Sequence, residues 1–256
     1  MTTDFRQSHT VPADIVQHFA SPFVVIGFFT PDYTQAALDF ASNLTEQKIS
    51  HHLYSRPKIA GNWSSQTRQK PSVLSKARND YPDDILILMD VDCRVRGNID
   101  DIVECPGDIA LRTKKTSVGS RNALKPCTRV MIVRPTPGSA AFIAAWQAVC
   151  ESSLSGSAEA VLMISMSDSP DYYTVGTMPL RYAGMELHDA PTDALIVHDS
   201  IRDPTRPAWA LRRGGQKYFR IVRDAAFRVA TGKSYEENYP KRSPGAKPGK
   251  QENRPQ

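Results

Sequence analysis

The triplet Asp90-Val91-Asp92 follows directly on the apolar run Ile85-Leu86-Ile87-Leu88-Met89. A short unbroken apolar run reads as a strand covered on both faces. The two carboxylates therefore fall at its carboxyl end, where α/β sheets place their ligands. Two hard oxygen donors one residue apart suit Mg²⁺ or Mn²⁺, with substrate phosphates completing the coordination. The same triplet also reads as a plain strand-to-loop turn, since aspartate is common there. Further on, Ile196-Val197-His198 puts a histidine at the end of a later apolar strand. On its own that position also suits a hydrogen-bonded structural histidine.

The elements that must position these groups follow from patterning. Pro22–Phe29 reads as another buried strand, bounded by Pro22 and by Thr30-Pro31-Asp32. Thr30 or Asp32 is expected to cap the next helix, whose apolar face is Ala36, Ala37, Leu38, Phe40, Ala41 and Leu44. Strands are expected at 49–54, 85–89, 108–112, 129–133, 172–175 and 194–197. Helices are expected after Pro71, which suits a first turn, and at 139–150 and 158–166. Strands alternating with helices predict one α/β domain with a mostly parallel central sheet.

Composition narrows the function classes. Of 256 residues, 40% are hydrophobic and 23% charged, which excludes a disordered chain. The net charge is +5, but it is unevenly spread. Residues 1–201 hold 18 basic and 22 acidic groups, and residues 202–256 hold 14 and 5. An acidic body with a basic end is poor support for nucleic acid, so no nucleic-acid partner is expected. Neither a signal peptide nor a membrane-spanning run is visible. Cys93, Cys105, Cys127 and Cys150 lack metal-binding spacing and read as reduced thiols. The expected location is cytoplasmic.

Phe29-Thr30-Pro31-Asp32-Tyr33, then Trp63 and Lys70-Pro71 ahead of a helix, then the strand closing on Asp90-Val91-Asp92, resemble the nucleotide-diphospho-sugar transferases of the GT-A fold. The likeness is to the branch with galactosyl- and xylosyltransferases, and spans roughly 22–202. Gly107–Ala110, the Trp146 helix and Ile196–Ser200 fall in the same order. The resemblance implies a GT-A-like fold and transfer of a sugar from a nucleotide-diphosphate donor, a UDP-sugar, to a glycan or lipid-linked acceptor. It implies that Thr30, Pro31 and Tyr33 line the nucleoside pocket. Asp90 would face the ribose or sugar, Asp92 would ligate Mn²⁺ or Mg²⁺, with Asp90 and His198 completing the site, and Lys70 would assist at the phosphate or sugar. Arg202, with Lys114, Lys115 and Arg121 in a loop after the 108–112 strand, would add positive charge at the departing diphosphate. Where the family has an Asp-Gln or Asp-Glu pair, this chain offers only Glu159. That residue would contact the acceptor, act as a base, or simply favour the helix dipole.

Two other classes share parts of this pattern. Haloacid-dehalogenase-like phosphatases also end a buried strand in Asp-x-Asp, although Arg94 stands where they carry Thr or Val. A non-catalytic nucleotide-sugar binding module would need the same pocket. The expected organisation is a lead-in at 1–21, a catalytic domain at 22–211, a basic helix at 212–238 and a disordered basic tail at 239–256. The helix carries Phe219, Val222, Ala226 and Val229 on one stripe, with Lys217, Arg220, Arg223 and Arg228 mostly off it. It reads as packing on the domain, or as touching anionic membrane at the inner face.

Overall fold

The computed structural model describes residues 12–61, 63–118, 121–153, 156–168, 171–185 and 191–198. Arg202, the basic helix expected at 212–238 and the tail at 239–256 lie outside the described residues.

Seven strands form the main sheet: β1 (Ile15–Gln17), β2 (Val24–Phe29), β3 (His51–Ser55), β4 (Leu86–Met89), β6 (Ile109–Val118), β7 (Arg121–Val133) and β8 (Val175–Thr177), in the order β1-β3-β2-β4-β7-β6-β8. β2, β3, β4, β6 and β8 share one direction, while β1 and β7 oppose them. The sheet is thus mostly parallel, as expected, with an antiparallel strand beside β4. A small second sheet holds β5 (Cys93–Val95), β10 (Ile196–His198) and β9 (Gly184–Met185), in the order β5-β10-β9.

Alternation along the central strands sorts their side chains onto two cores. Val25, Ile87, Met89, Val130 and Ile132 pack with α1 (Thr34–Glu46) and the small sheet. α1 buries Ala37, Phe40, Ala41 and Leu44, one helical stripe. Val24, Ile26, Leu86, Leu88, Met131 and Val133 pack beneath α3 (Lys70–Asp80), α4 (Pro137–Ser152) and α5 (Ala158–Asp168); a short α2 (Trp63–Thr67) precedes α3. Gly27 sits where β3 and β4 close on β2. A Cβ there would stand 3.0 Å from Leu53 Cδ2 and 3.1 Å from the Met89 carbonyl oxygen, so no larger residue fits without displacing backbone.

Two local expectations need correcting. Thr30 and Asp32 do not cap α1. Pro31–Tyr33 forms a 3-10 turn first, and Thr30 Oγ1 donates to Asp32 Oδ1 at 2.5 Å. Pro31 holds Thr30 extended, so the chain cannot enter an α-helix at that point. Likewise, Lys114, Lys115 and Arg121 are not in a loop. They belong to β6 and β7, which pair as a long antiparallel ribbon from Arg112↔Cys127 to Val118↔Arg121. A ribbon projecting beyond the sheet needs no apolar run, so hydrophobic patterning marked only its rooted ends.

The ribbon joins the sheet through an irregularity. Leu111 pairs with Met131, but Arg112 pairs with Cys127. Thr128, Arg129 and Val130 are left without a partner on β6, while β7 still pairs β4 at Met89↔Val130. Bulges of this kind commonly re-aim side chains beside functional sites.

Candidate functional site

β4 ends at Met89 and the chain turns at once. Asp90 N–H donates to the Arg129 carbonyl at 3.0 Å, and Cys93 N–H closes on the Asp90 carbonyl at 2.9 Å. This tight turn keeps both carboxylates at the strand end. β5 then pairs antiparallel with β10 in the register His198↔Cys93, which sets the histidine beside Asp92. His198 Nε2 lies 2.8 Å from Asp92 Oδ1 and 3.9 Å from Asp90 Oδ2. One ligand atom from each of the three residues falls within 4.8 Å of the others.

The donor set fits a hard divalent ion. Two carboxylates and one imidazole leave positions open for phosphate oxygens, and they suit Mn²⁺ or Mg²⁺ far better than a thiol-seeking metal. His198 Nδ1 is buried without a partner among the described residues. The ring is therefore held through Nε2, the atom aimed at the carboxylates. Cys93 adds nothing to the ligand set, because burial and then the charges of Asp92 and Asp90 push its thiol pKa well up.

Lys70 opens α3 beside Pro71, and its side chain is only 5% exposed. Its Nζ lies 2.5 Å from Asp90 Oδ1, 2.9 Å from the Thr128 carbonyl and 3.3 Å from Thr128 Oγ1. That carbonyl belongs to the segment that the bulge removes from the β6 ladder, so the lysine satisfies it and anchors Asp90 together. Burial pushes the Asp90 carboxyl above its ordinary range; Lys70 pulls against this, and the neighbouring Asp92 adds to it.

Glu159 stands in the first turn of α5. α4 fixes that turn in place, because Trp146 Nε1 donates to the Ala158 carbonyl at 3.2 Å. Lys125 Nζ pairs with Glu159 Oε2 at 2.8 Å, and the Glu159 side chain is 16% exposed. Burial alone would raise its pKa, but Lys125, with Arg129 and Lys70 behind it, holds it below the ordinary value. Glu159 is therefore an ionised carboxylate.

The structure gathers Asp90, Asp92, His198 and Lys70 into one contact cluster, and sets Glu159 beside it through the shared field of Lys70 and Arg129. Thr30, Pro31 and Tyr33 follow β2, the parallel neighbour of β4, and so lie at the same carboxyl edge. Asp32 is fixed there by Lys58 at 2.8 Å. Sequence reasoning missed Thr128, Arg129 and Lys125. The signal was present in Lys125-Pro-Cys-Thr-Arg129, a polar stretch running directly into the apolar Val130–Val133. It mirrors the way Asp90 follows its own apolar run.

Among solved structures, the chain is similar to a glycosyltransferase involved in the glycosylation of the major capsid of PBCV-1. The two share 12% identity and a TM-score of 0.50 over 76% of this chain and 98% of that one. It is also similar to the apo-form glycosyltransferase GlyE of Streptococcus pneumoniae TIGR4, at 15% identity and 0.46, over 82% of this chain and 62% of that one. A third is the galactosyltransferase LgtC in complex with donor and acceptor sugar analogs, at 8% and 0.45, over 78% and 95%. No protein-family model matches the sequence, and no curated protein matches it. The first of these likenesses, with the mostly parallel sheet, shows a GT-A-like fold. Among the described residues, no helix is long and apolar enough to cross a membrane.

Proposed function

We propose that the chain is a metal-dependent glycosyltransferase, moving a sugar from a nucleotide-diphosphate donor, a UDP-sugar, to a glycan or lipid-linked acceptor. The observation that carries this reading is the convergence of Asp92, His198 and Asp90 at the end of β4. A glycosyltransferase with the same fold supports it.

Asp92 Oδ1, His198 Nε2 and Asp90 Oδ2 would hold Mn²⁺ or Mg²⁺. When bound, the ion supplies a Lewis acid for the charge that builds on the departing diphosphate. Lys70 occupies Asp90 Oδ1, which leaves Oδ2 turned toward His198. Its remaining role is to keep that carboxylate oriented while the donor enters. Thr30, Pro31 and Tyr33 would take the nucleoside, with the Tyr33 ring against the base. Glu159, held ionised by Lys125, is a weak base and a strong hydrogen-bond acceptor, so it would fix a hydroxyl of the sugar or the acceptor. Arg202 would add a cation at the diphosphate. The catalytic unit would span 22–211, followed by the basic helix and the tail.

Full-length protein incubated with Mn²⁺ and a panel of UDP- and GDP-sugars tests the reading. Binding and slow hydrolysis of at least one donor is expected, lost in EDTA and restored by Mn²⁺. If no member of the panel is bound or hydrolysed, the reading fails. Turnover of a generic phosphomonoester would instead favour the phosphatase.

A further inference from the structure

Among the described residues, Asp90, Asp92 and Glu159 stand with Lys70, Lys125 and Arg129 near the end of β4, and their pairing leaves Arg129 over. Lys70 is committed to Asp90, Lys125 to Glu159, and Asp92 to His198. Arg129 has no carboxylate within ion-pair distance among the described residues. Its hydrogen bond there runs from Nη1 to Cys127 Sγ at 3.6 Å, a weak acceptor. The residue is half-buried, yet none of its nitrogens is sealed from solvent without a partner. Burying an arginine's charge with no carboxylate is costly, and a nitrogen left open to solvent keeps its donor for an incoming group. Burial works against its charge here too, but Cys127, Glu159, Asp90 and Cys93 hold its pKa above the ordinary value, so the cation is permanent.

The position is as informative as the missing partner. Arg129 lies in the three-residue segment that the β6–β7 irregularity frees from β6, and its carbonyl accepts from Asp90 N–H. Arg129 and Asp90 are therefore cross-strand neighbours at the carboxyl edge where a donor would enter. A guanidinium with unspent donors suits two oxygens of one anionic group, since its planar fork matches phosphate and carboxylate alike.

We propose that Arg129 is a specificity-determining residue that binds an anionic oxygen group of the donor. Two sources share that chemistry: a phosphate of the diphosphate, and a carboxylate on the transferred sugar. The assignment rests on the nucleotide-sugar reading above.

The experiment is titration calorimetry of the full chain and of Arg129→Gln with Mn²⁺ present. The probes are uridine, UDP, UDP-glucose and UDP-glucuronate, with the guanosine, GDP, GDP-mannose and GDP-mannuronate series alongside. A loss of about tenfold or more for the nucleoside diphosphate, with the free nucleoside unaffected, assigns Arg129 to the diphosphate. A loss confined to the uronate donor assigns it to the sugar carboxylate. Either supports the proposal, and Arg129→Lys should recover part of the loss, since it keeps charge without the fork. An equal loss for the free nucleoside, or no loss for any probe, overturns it. If the unmodified chain binds none of the probes, the nucleotide-sugar reading itself has failed, which is a different result. A measurement without substitution guards against a misfolded variant. Phenylglyoxal modification of Arg129, followed by peptide mass spectrometry, should fall severalfold when the tightest-binding probe is present. Unchanged modification overturns the proposal.

Discussion

Two polar clusters sit on the same main sheet, one past the end of β4 around Asp90, the other on the outer strands around His52. They draw on similar residue types. On the outer strands, Asp14 Oδ1 accepts from Ser55 N–H at 2.7 Å, and its Oδ2 faces His52 Nε2 at 3.2 Å. His52 Nδ1 meets the Tyr81 hydroxyl at 3.0 Å, and the ring stacks on Tyr54 at 3.8 Å. Tyr54 in turn donates to Asp80 at 2.7 Å, where Lys76 also arrives at 3.0 Å. Both histidine nitrogens and both acids are spent on protein partners. Around Asp90 the balance differs: two carboxylates crowd one imidazole, and among the described residues His198 Nδ1 has no partner and Arg129 meets only a thiol. A cluster closed on itself ties β1 to β3. A cluster with crowded like charge and unspent donors is what the proposed metal ion and donor would complete.

The sharpest way to break this contrast is Asp92→Asn. Metal affinity and sugar transfer should fall by at least about 100-fold, since a direct ligand matters more than an outer-shell one. Without metal the variant should melt no lower than the parent, because repulsion toward Asp90 is relieved. Mn²⁺ titration and melting curves check both halves. A variant that keeps its Mn²⁺ affinity would place the two clusters in the same structural class.

Lys70→Met tests the saturated cation beside Asp90. Removing one partner of a buried ion pair leaves Asp90 uncompensated, at a cost of about 3 kcal/mol in denaturant unfolding. Added Mn²⁺ should return part of that stability, as it returns positive charge to the carboxylate. Asp14→Ala, in the closed cluster, should cost about 1–2 kcal/mol through the orphaned Ser55 amide and His52. Mn²⁺ affinity should stay at the parent value there. If Asp14→Ala weakens metal binding, the two regions are coupled and the contrast is wrong.

The open cluster was partly legible before folding because its acids punctuate a buried strand. Asp90 and Asp92 follow Ile85–Met89 so directly that their place at a sheet edge can be read from the chain. His198 needed a resemblance, because its partner is set by a register 105 residues away, His198↔Cys93, which no local pattern carries. Arg129 and Thr128 were hidden in a bulge, where strand periodicity breaks down. The β6–β7 ribbon was under-read for the same reason, and β1, β5 and β9 are too short to show a period. The closed cluster left no trace at all. Asp14, His52, Tyr54, Asp80 and Tyr81 are ordinary surface types until β1 docks against β3 and α3 covers them.

The smallest effect belongs to that closed cluster at acid pH. Tyr54 is buried, and burial together with the Asp80 charge pushes its phenol pKa up, so it remains a donor throughout the accessible range. Its hydrogen bond is the largest influence lowering the Asp80 pKa, ahead of Lys76. An aspartate whose folded pKa lies below its unfolded value binds fewer protons when folded. Its contribution is therefore complete above the unfolded pKa of about 3.9 and is lost as pH falls through the lower folded value. Tyr54→Phe removes the principal cause of that shift while keeping the ring against His52. The variant should be about 1 kcal/mol less stable at neutral pH, and should lose less of its stability between pH 5 and pH 2.5 than the parent does. Denaturant unfolding across that range reads both. An unchanged acid slope would show that Lys76 alone holds Asp80 ionised, and that the cluster is closed by charge and not by the phenol.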